Sequence, residues 1–226
     1  MSMNVFRLCG DMCHVFSILV LLLRLRVAKN AQGISVRTHE LFLLVFVTRY
    51  SDLLFHFYSV YNSVMKVLYI LSTASIVYTI RFQEPIKSTY DQSQDTFMHW
   101  KFAVAPCALV ALITQLITDG TTPHLFKMLW TFSIYLEAIA IVPQLIVLQR
   151  YGEVENLTGN YIFFMGSYRA LYILNWIYRA YTEKGYHHHW VAYIAGVLQT
   201  LLYVDFFYYY FESKKKGGKM RLPTAN

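Results

Sequence analysis

The chain alternates long apolar stretches with short polar segments that are rich in arginine and lysine. About twenty apolar residues in a helix suffice to cross the roughly 30 Å hydrocarbon core of a bilayer. Stretches of this kind occur at 4–23, 40–58, 63–80, 101–118, 124–148, 160–180 and 189–211. The pattern therefore predicts an all-α polytopic membrane protein, with seven transmembrane helices within residues 1–213 and a basic tail at 214–226.

Composition supports a membrane protein and adds its orientation. Charged residues make up 15% of the chain and hydrophobic residues 56%, whereas soluble domains carry about 25% charged residues. The net charge of +7 comes largely from segments beside the spans, at 24–37, 81–101, 149–159 and in the tail. Cytoplasmic loops of membrane proteins are enriched in lysine and arginine. We therefore predict a lumenal or extracellular N-terminus, a cytoplasmic C-terminus and no nucleic-acid partner.

A weak internal repeat relates the two halves of the chain. Residues 48–54 align with 168–174, which overlays the first three spans on the last three and leaves the fourth as a linker helix. Parallel three-helix repeats are typical of transporter-like bundles, which bind ligands near the middle of the membrane. The sequence therefore predicts two three-helix repeats joined by a linker helix.

Polar side chains recur on particular helix faces within these apolar spans. A charge at the bilayer centre costs roughly 2.5–3.5 kcal/mol on insertion scales, so such groups face a protein interior or a cavity. At about 100° per residue, the groups that share a face are Arg7, Asp11 and His14 in the first span, Arg49 and Asp52 in the second, Trp130 and Glu137 in the fifth, and Tyr168, Tyr172, Asn175 and Arg179 in the sixth. Arg169 points away from this last stripe, and Asp205 lies in the seventh span.

Two interpretations of the intramembrane charges remain open. Four arginines and four acids could simply neutralise one another inside the bundle. Alternatively, Arg7, Arg49 and Arg179, near the predicted lumenal ends, could receive carboxylates, which arginine binds in a two-pronged manner. Asp11, Glu137 and Asp205 would then be switch or relay groups. His14 would be either a packing residue or a proton sensor, because an unperturbed histidine titrates near pH 6.5, and Lys66 is expected to extend toward the membrane surface.

Motifs from Asn4 to about Phe211 resemble those of the KDEL receptor family, the ER lumen protein-retaining receptors. The similar stretches are 5–11 with His14, 33–35, 48–53, 129–137, 142–145, 168–172, 175–176 and 203–207. The resemblance implies a fold similar to SWEET and PQ-loop proteins. It also implies a pH-dependent receptor that binds the C-terminal Lys/His-Asp-Glu-Leu signal of escaped ER proteins in the Golgi. The receptor would return them to the ER in COPI vesicles.

The resemblance also implies a role for each site residue. Arg49 and Tyr50 would hold the peptide's terminal carboxylate, Arg7 its glutamate and Arg179 its aspartate. Trp130 would pack against the fourth residue from the peptide's end, with Tyr172, Asn175 and Trp176 completing the ligand site. Protonated His14 would favour the ligand-holding state through a Glu137–Tyr168 contact. Asp205 would take part in the movement of the last span, which exposes Lys214, Lys215 and Lys216 to the COPI coat.

One position departs from the family pattern. Three residues before Trp130, where glutamate often faces the signal's lysine, this chain has Lys127. We therefore expect a signal whose fourth residue from the end is not lysine, with Asp52 as the remaining nearby acid.

Other function classes find less support in the sequence. A small-solute transporter would share the repeat pattern, but four intramembrane arginines favour an acidic ligand. The lysine-rich tail could serve only to fix topology. No nucleophile motif or paired aspartates suggest an enzyme, and Cys9, Cys13 and Cys107 form no pattern typical of a disulfide framework or a zinc site. We expect no cofactor; the expected partners are the peptide signals, the coat and membrane lipid.

Overall fold

The computed structural model describes residues 3–55, 57, 59–119, 124–186 and 188–223. The described part of the chain is mostly helical. In chain order its α-helices are α1 (Val5–Ala28), α2 (Val36–Arg49), α3 (Val60–Phe82), α4 (Ile86–Thr89), α5 (Ala105–Asp119), α6 (Leu125–Ile139), α7 (Val142–Tyr151), α8 (Asn156–Thr182), α9 (Trp190–Leu202) and α10 (Val204–Lys216). A 3-10 turn spans Ser51–Leu54 and a π-helical turn spans Trp100–Val104. Two short strands are β1 (Glu153–Val154) and β2 (Met220–Arg221).

Two compact units divide the chain. The first unit comprises Met1–Gly33 and Leu148–Asn226, and the second comprises Ile34–Val147. The first unit therefore groups α1 with α8, α9 and α10 rather than with α2 and α3. These units do not follow the predicted three-helix repeats, so the repeat stays a prediction.

Glycines set the close packing of the first unit. A Cβ atom on Gly10 of α1 would lie 2.9 Å from Cδ2 of Tyr172 on α8. A Cβ atom on Gly166 would lie 2.6 Å from Cζ of Phe207, which is on α10. Small residues allow membrane helices to approach closely. These positions therefore explain how α8 contacts both α1 and α10 at short range.

The C-terminal segment folds back onto the first unit. Lys214, Lys215 and Lys216 form the last turn of α10, which ends at Gly217 with φ 66°. Beyond it, β2 pairs antiparallel with β1, and Leu222 donates its N–H to the Gly152 carbonyl at 2.7 Å. The helix thus continues through the lysines, and the predicted boundary of the basic tail at residue 214 stays a prediction.

A buried carboxylate organises the start of α2 in the second unit. The Ser35 hydroxyl caps α2 by accepting from the Thr38 N–H at 3.1 Å, and it donates to Asp95 Oδ1 at 2.9 Å. Asp95 is 1% exposed and also accepts from the Tyr90 hydroxyl at 2.8 Å. Burial and the nearby Asp95 carboxylate raise the pKa of the Tyr90 phenol above its ordinary value, so the phenol stays protonated and donates. Asp95 therefore ties the connector after α4 to α2.

Several helices are long and apolar enough to cross a membrane. Within the described residues these are Val5–Ala28, Val60–Phe82, Trp100–Thr118 and Leu125–Tyr151, with α9 and α10 a further span if the pair, bent by 40°, counts as one. The fold is therefore that of a polytopic helical membrane protein, and the count of seven spans stays a prediction. The second predicted span, 40–58, is wrong as a continuous helix, because α2 ends at Arg49 after 14 residues.

Candidate functional site

One face of α1 carries the predicted polar cluster of the first unit. Arg7 Nε lies 4.0 Å from Asp11 Oδ2, and Asp11 Oδ1 accepts a hydrogen bond from the Tyr172 hydroxyl. The His14 ring stacks on the Tyr168 ring with 4.3 Å between centroids. Asp11 and His14 are each 5% exposed. The predicted common face of Arg7, Asp11 and His14 is confirmed, and the predicted stripe of α8 supplies its partners.

Two amides that the sequence analysis did not single out extend this cluster. Asn4 caps α1 by accepting from the Arg7 N–H at 2.9 Å, and its Nδ2 donates to Asn175 Oδ1 at 2.6 Å. Gln199 of α9 donates to the Tyr168 hydroxyl at 3.2 Å. Asparagine directly before an apolar run is a typical N-cap, so the role of Asn4 could have been predicted. Gln199 had no such signal.

The two arginines of α8 have different surroundings. Arg169 is 4% exposed, and its Cζ lies 5.6 Å from the ring centroid of Trp176. Arg179 binds Glu183 one turn later, with Nη2 and Nε at 2.8 and 2.9 Å from Oε2, and its Cζ lies 4.8 Å from the Tyr186 ring centroid. The two arginines thus contact different groups, and their assignment to the ligand site and to the internal charge network stays a prediction. Glu183 was missed, although its spacing of four residues from Arg179 is a recognisable helical ion pair.

Arg49 is the centre of the polar cluster in the second unit. Its Nη1 lies 2.6 Å from Oε2 of Glu137, which is 2% exposed. Its Nε donates to the Ser133 hydroxyl at 3.1 Å, and its Nη2 donates to the Ser133 carbonyl at 3.0 Å. The Ser133 hydroxyl in turn donates to the Trp130 carbonyl at 2.6 Å. Three groups on α6 thus fix the plane of the Arg49 guanidinium.

A second ion pair lies just beyond α2. Asp52 belongs to the 3-10 turn rather than to a helix shared with Arg49, and both its oxygens lie 2.8 Å from Lys66 Nζ. Lys66 also lies over the Tyr50 ring, 5.6 Å from its centroid. The Lys66 ammonium is thus held by Asp52, and its extension toward the membrane surface stays a prediction. Lys127 is exposed in the first turn of α6.

Comparison with known proteins decides the family. A family model described as ER lumen protein retaining receptor matches residues 30–179. The chain is 52% identical to ER lumen protein-retaining receptor B of Arabidopsis thaliana, over 98% of this chain and 100% of that protein. It is 47% identical to the ER lumen protein-retaining receptor of Plasmodium falciparum, over 98% of each. The chain belongs to the ER lumen protein-retaining receptor family.

The other residues that were predicted to have a role in this receptor lie on α8 and α10. Trp176 packs against Gly196, where an added Cβ would lie 2.7 Å from its ring, and its ring centroid is 5.3 Å from that of Tyr193. Asp205 is exposed in the first turn of α10, directly after the bend at the buried Tyr203. Lys214, Lys215 and Lys216 are exposed, and Lys216 lies 2.6 Å from Glu212.

Each arginine proposed to meet the ligand has an acidic partner in its own unit. Arg7 has Asp11 at 4.0 Å, Arg49 has Glu137 at 2.6 Å and Arg179 has Glu183 at 2.8 Å. The neutralisation that the sequence left open is therefore observed for these three.

Proposed function

We propose that the protein is a retrieval receptor that binds the C-terminal Lys/His-Asp-Glu-Leu-type signals of escaped ER luminal proteins. Relatives that match over the full length of the chain carry the name ER lumen protein-retaining receptor. Such a signal ends in a terminal carboxylate and two acidic side chains. Arg7, Arg49 and Arg179 would each receive one of these three negative charges. The family is named for retention receptors, and we assign no enzymatic activity.

The Arg49–Glu137 pair is the observation that carries the proposal. Ser133 holds two guanidinium nitrogens of Arg49, so the donor plane is fixed before a ligand arrives. In the proposed bound state the terminal carboxylate takes the place of Glu137 on Arg49, beside Tyr50. Preorganised donors bind a carboxylate without losing further side-chain entropy.

The other two arginines would receive the acidic side chains of the signal. Arg7 would bind the glutamate of the signal in exchange for Asp11. Arg179 would bind the aspartate of the signal in exchange for Glu183. The Arg7–Asp11 distance of 4.0 Å is long for an ion pair, and Glu183 is 28% exposed. The first contact is therefore loose, and the second is partly open to solvent. Tyr172, Asn175 and Trp176 are assigned to the same ligand site.

We assign the pH response to His14. Its ring stacks on Tyr168, and its helix face also carries Asp11 and Arg7. A proton on His14 adds a charge to this buried cluster, which would favour the ligand-holding state in the acidic Golgi and release in the more neutral ER. Coupling of His14 to Glu137 through Tyr168, and movement of the last span at Asp205, are parts of this proposal.

Return to the ER would use the exposed lysines at the end of α10. Lys214, Lys215 and Lys216 are proposed to be recognised by the COPI coat on the cytoplasmic side. This assignment requires a lumenal N-terminus and an odd number of spans. The seven predicted spans, in two three-helix repeats joined by a linker helix, meet the second requirement. The receptor would cycle between Golgi and ER membranes.

Lys127 is proposed to set the preference for the fourth residue from the signal's end. It is exposed one turn before Trp130, whose position the resemblance assigns to that residue. Asp52, the acid that could attract a lysine there, is already paired with Lys66. A signal with histidine, or with a neutral or acidic residue, at this position should therefore bind better than one with lysine.

A reconstitution experiment separates this receptor from a small-solute transporter. Purified protein in liposomes is tested for saturable binding of a labelled peptide ending in His-Asp-Glu-Leu, and for uptake of sugars and amino acids. We expect peptide binding without solute flux. Flux that saturates with a solute, in the absence of peptide binding, would overturn the proposal.

A further inference from the structure

The turn after α8 brings an aromatic ring back over Arg179. Helix α8 ends at Thr182, and Glu183 follows it with an extended backbone, φ −97° and ψ 116°. Gly185 then adopts φ 75°, a left-handed conformation that residues with a Cβ rarely take. Among the described residues no atom lies within 4 Å of a Cβ added there, so glycine is required by the backbone angle and not by lack of space. The reversal places the Tyr186 ring against Arg179, with 4.8 Å between the guanidinium Cζ and the ring centroid.

This ring contact is close enough to hold the cation. A guanidinium within about 6 Å of an aromatic centroid is attracted by the negative face of the ring. The attraction acts on the charge as a whole, so it requires none of the N–H groups of Arg179. Glu183 uses two of them, because Nε and Nη2 lie 2.9 and 2.8 Å from one of its carboxylate oxygens. Arg179 is therefore held by two partners that do not compete with each other.

A bound ligand would affect these two partners differently. Under the proposed function the aspartate of the signal takes the place of Glu183, so that contact ends when the signal binds. Tyr186 carries no charge that would repel the incoming carboxylate, so its contact with Arg179 can persist. A partner that remains in both states fixes the arginine before the ligand arrives, which reduces the entropy lost on binding. Ser133 does the same for Arg49, through hydrogen bonds instead of a ring.

A neighbouring tyrosine shows that this position is distinctive. Aromatic side chains at the ends of membrane spans commonly lie at the membrane–water interface. Tyr181, in the last turn of α8, fits that description because it is 88% exposed. Tyr186 is half-buried, and it lies against a charged side chain. Its contact with Arg179 is therefore more specific than membership of an interfacial aromatic belt.

We propose that Tyr186 is a positioning residue for signal binding. Its ring holds the Arg179 guanidinium in place while the carboxylate on the N–H groups changes from Glu183 to the aspartate of the ligand. This inference rests on the proposed function, in which Arg179 receives that aspartate. It has a specific consequence: loss of the ring lowers the preference for aspartate over asparagine at the third position from the peptide's end.

Peptide titration against the full-length protein in nanodiscs at pH about 6 tests the inference. The peptides end in His-Asp-Glu-Leu, His-Asn-Glu-Leu and His-Asp-Gln-Leu. Tyr186→Leu should bind the first peptide about fivefold more weakly and lose about the same factor in its preference for aspartate over asparagine. Its preference for glutamate over glutamine, which is assigned to Arg7, should be unchanged. Tyr186→Phe keeps the ring and should bind within about twofold of the unchanged protein, and Tyr181→Leu is the control.

The outcomes separate this inference from the proposed function. No saturable binding by the unchanged protein would overturn both. Binding by the unchanged protein, with an undiminished preference for aspartate in Tyr186→Leu, would overturn the inference alone. Equal loss of both preferences, or an equal loss in Tyr186→Phe and Tyr186→Leu, would also overturn it, because the ring would then not act on Arg179. Tyr186→Gln removes the ring as well and decides the question if thermal unfolding shows that Tyr186→Leu does not fold.

Discussion

Arg49 Nη1 lies 2.6 Å from Oε2 of Glu137, whose side chain is 2% exposed. Such a buried pair is costly to break by removing one partner, because an uncompensated charge is left behind. A ligand carboxylate that replaces Glu137 would keep the charge of Arg49 compensated, so Arg49 would not bear this cost. Under the proposed function, this position on Arg49 is occupied either by the internal acid or by the peptide terminus.

Arg49→Lys should weaken binding of the signal peptide by at least about tenfold. An ammonium group cannot hold a carboxylate in a two-pronged manner, and it lacks the planar fork that Ser133 holds in place. Titration of a labelled peptide measures the effect, with Arg26→Lys at an exposed position as the control. An unchanged affinity would remove Arg49 from the role of carboxylate receiver.

His14→Ala should flatten the pH dependence of peptide binding between roughly 5.5 and 7.5, the range around an unperturbed histidine. In the unchanged protein, binding should be strong on the acidic side and weaken as the pH rises, because the protonated ring favours the bound state. Affinity measured across this range gives the result, and His188→Ala, at an exposed histidine, is the control. If the pH step persists without His14, the sensor is another group.

Lys127→Glu should shift the preference toward peptides with lysine at the fourth position from the end. The substitution replaces repulsion by attraction near that residue, so the affinity of the lysine form relative to the histidine form should rise about fivefold or more. Lys184→Glu, another exposed lysine on the predicted lumenal side, is the control. In the unchanged protein, tighter binding of the lysine form at pH about 6 would contradict the role given to Lys127.

Gly10→Ala should destabilise the first unit by about 1–3 kcal/mol, as overpacking typically does. The added Cβ would lie 2.9 Å from Tyr172 and would push α1 away from α8. Thermal unfolding in detergent measures the loss. Gly218→Ala is the matched control, because no atom lies within 4 Å of its added Cβ. Equal stability of the two variants would show that α1 and α8 are not packed closely enough at Gly10 for an added methyl group to disturb them.

Helical periodicity explains what the sequence predicted well. Arg7, Asp11 and His14 recur at intervals of one turn, so their common face followed from the geometry of any regular helix. The same reasoning placed Tyr168 and Tyr172 on one stripe of α8, and these two side chains do contact the polar groups of α1. The partner helix was identified only by the structure.

Other features depended on contacts that a single sequence does not reveal. The apolar pattern continues past Arg49, so hydropathy predicted a second span that continues to residue 58. In the structure α2 ends at Arg49 and a 3-10 turn follows. Asp95 lies in a polar connector, where the sequence gives no sign that Ser35 and Tyr90 hold it in a buried site. The Asp52–Lys66 pair joins residues on different elements. The two residues are too far apart in sequence for helical spacing to place them side by side.

The most direct test of the receptor assignment compares one peptide with a free and with an amidated C-terminus. Affinity of a peptide ending in His-Asp-Glu-Leu is measured for both forms at a Golgi-like pH of about 6 and at about 7.5. We predict saturable binding of the free acid at the lower pH, weaker binding at the higher pH, and a loss of at least about tenfold for the amide. Equal binding of the acid and the amide would contradict the assignment of Arg49 and, with it, the central claim.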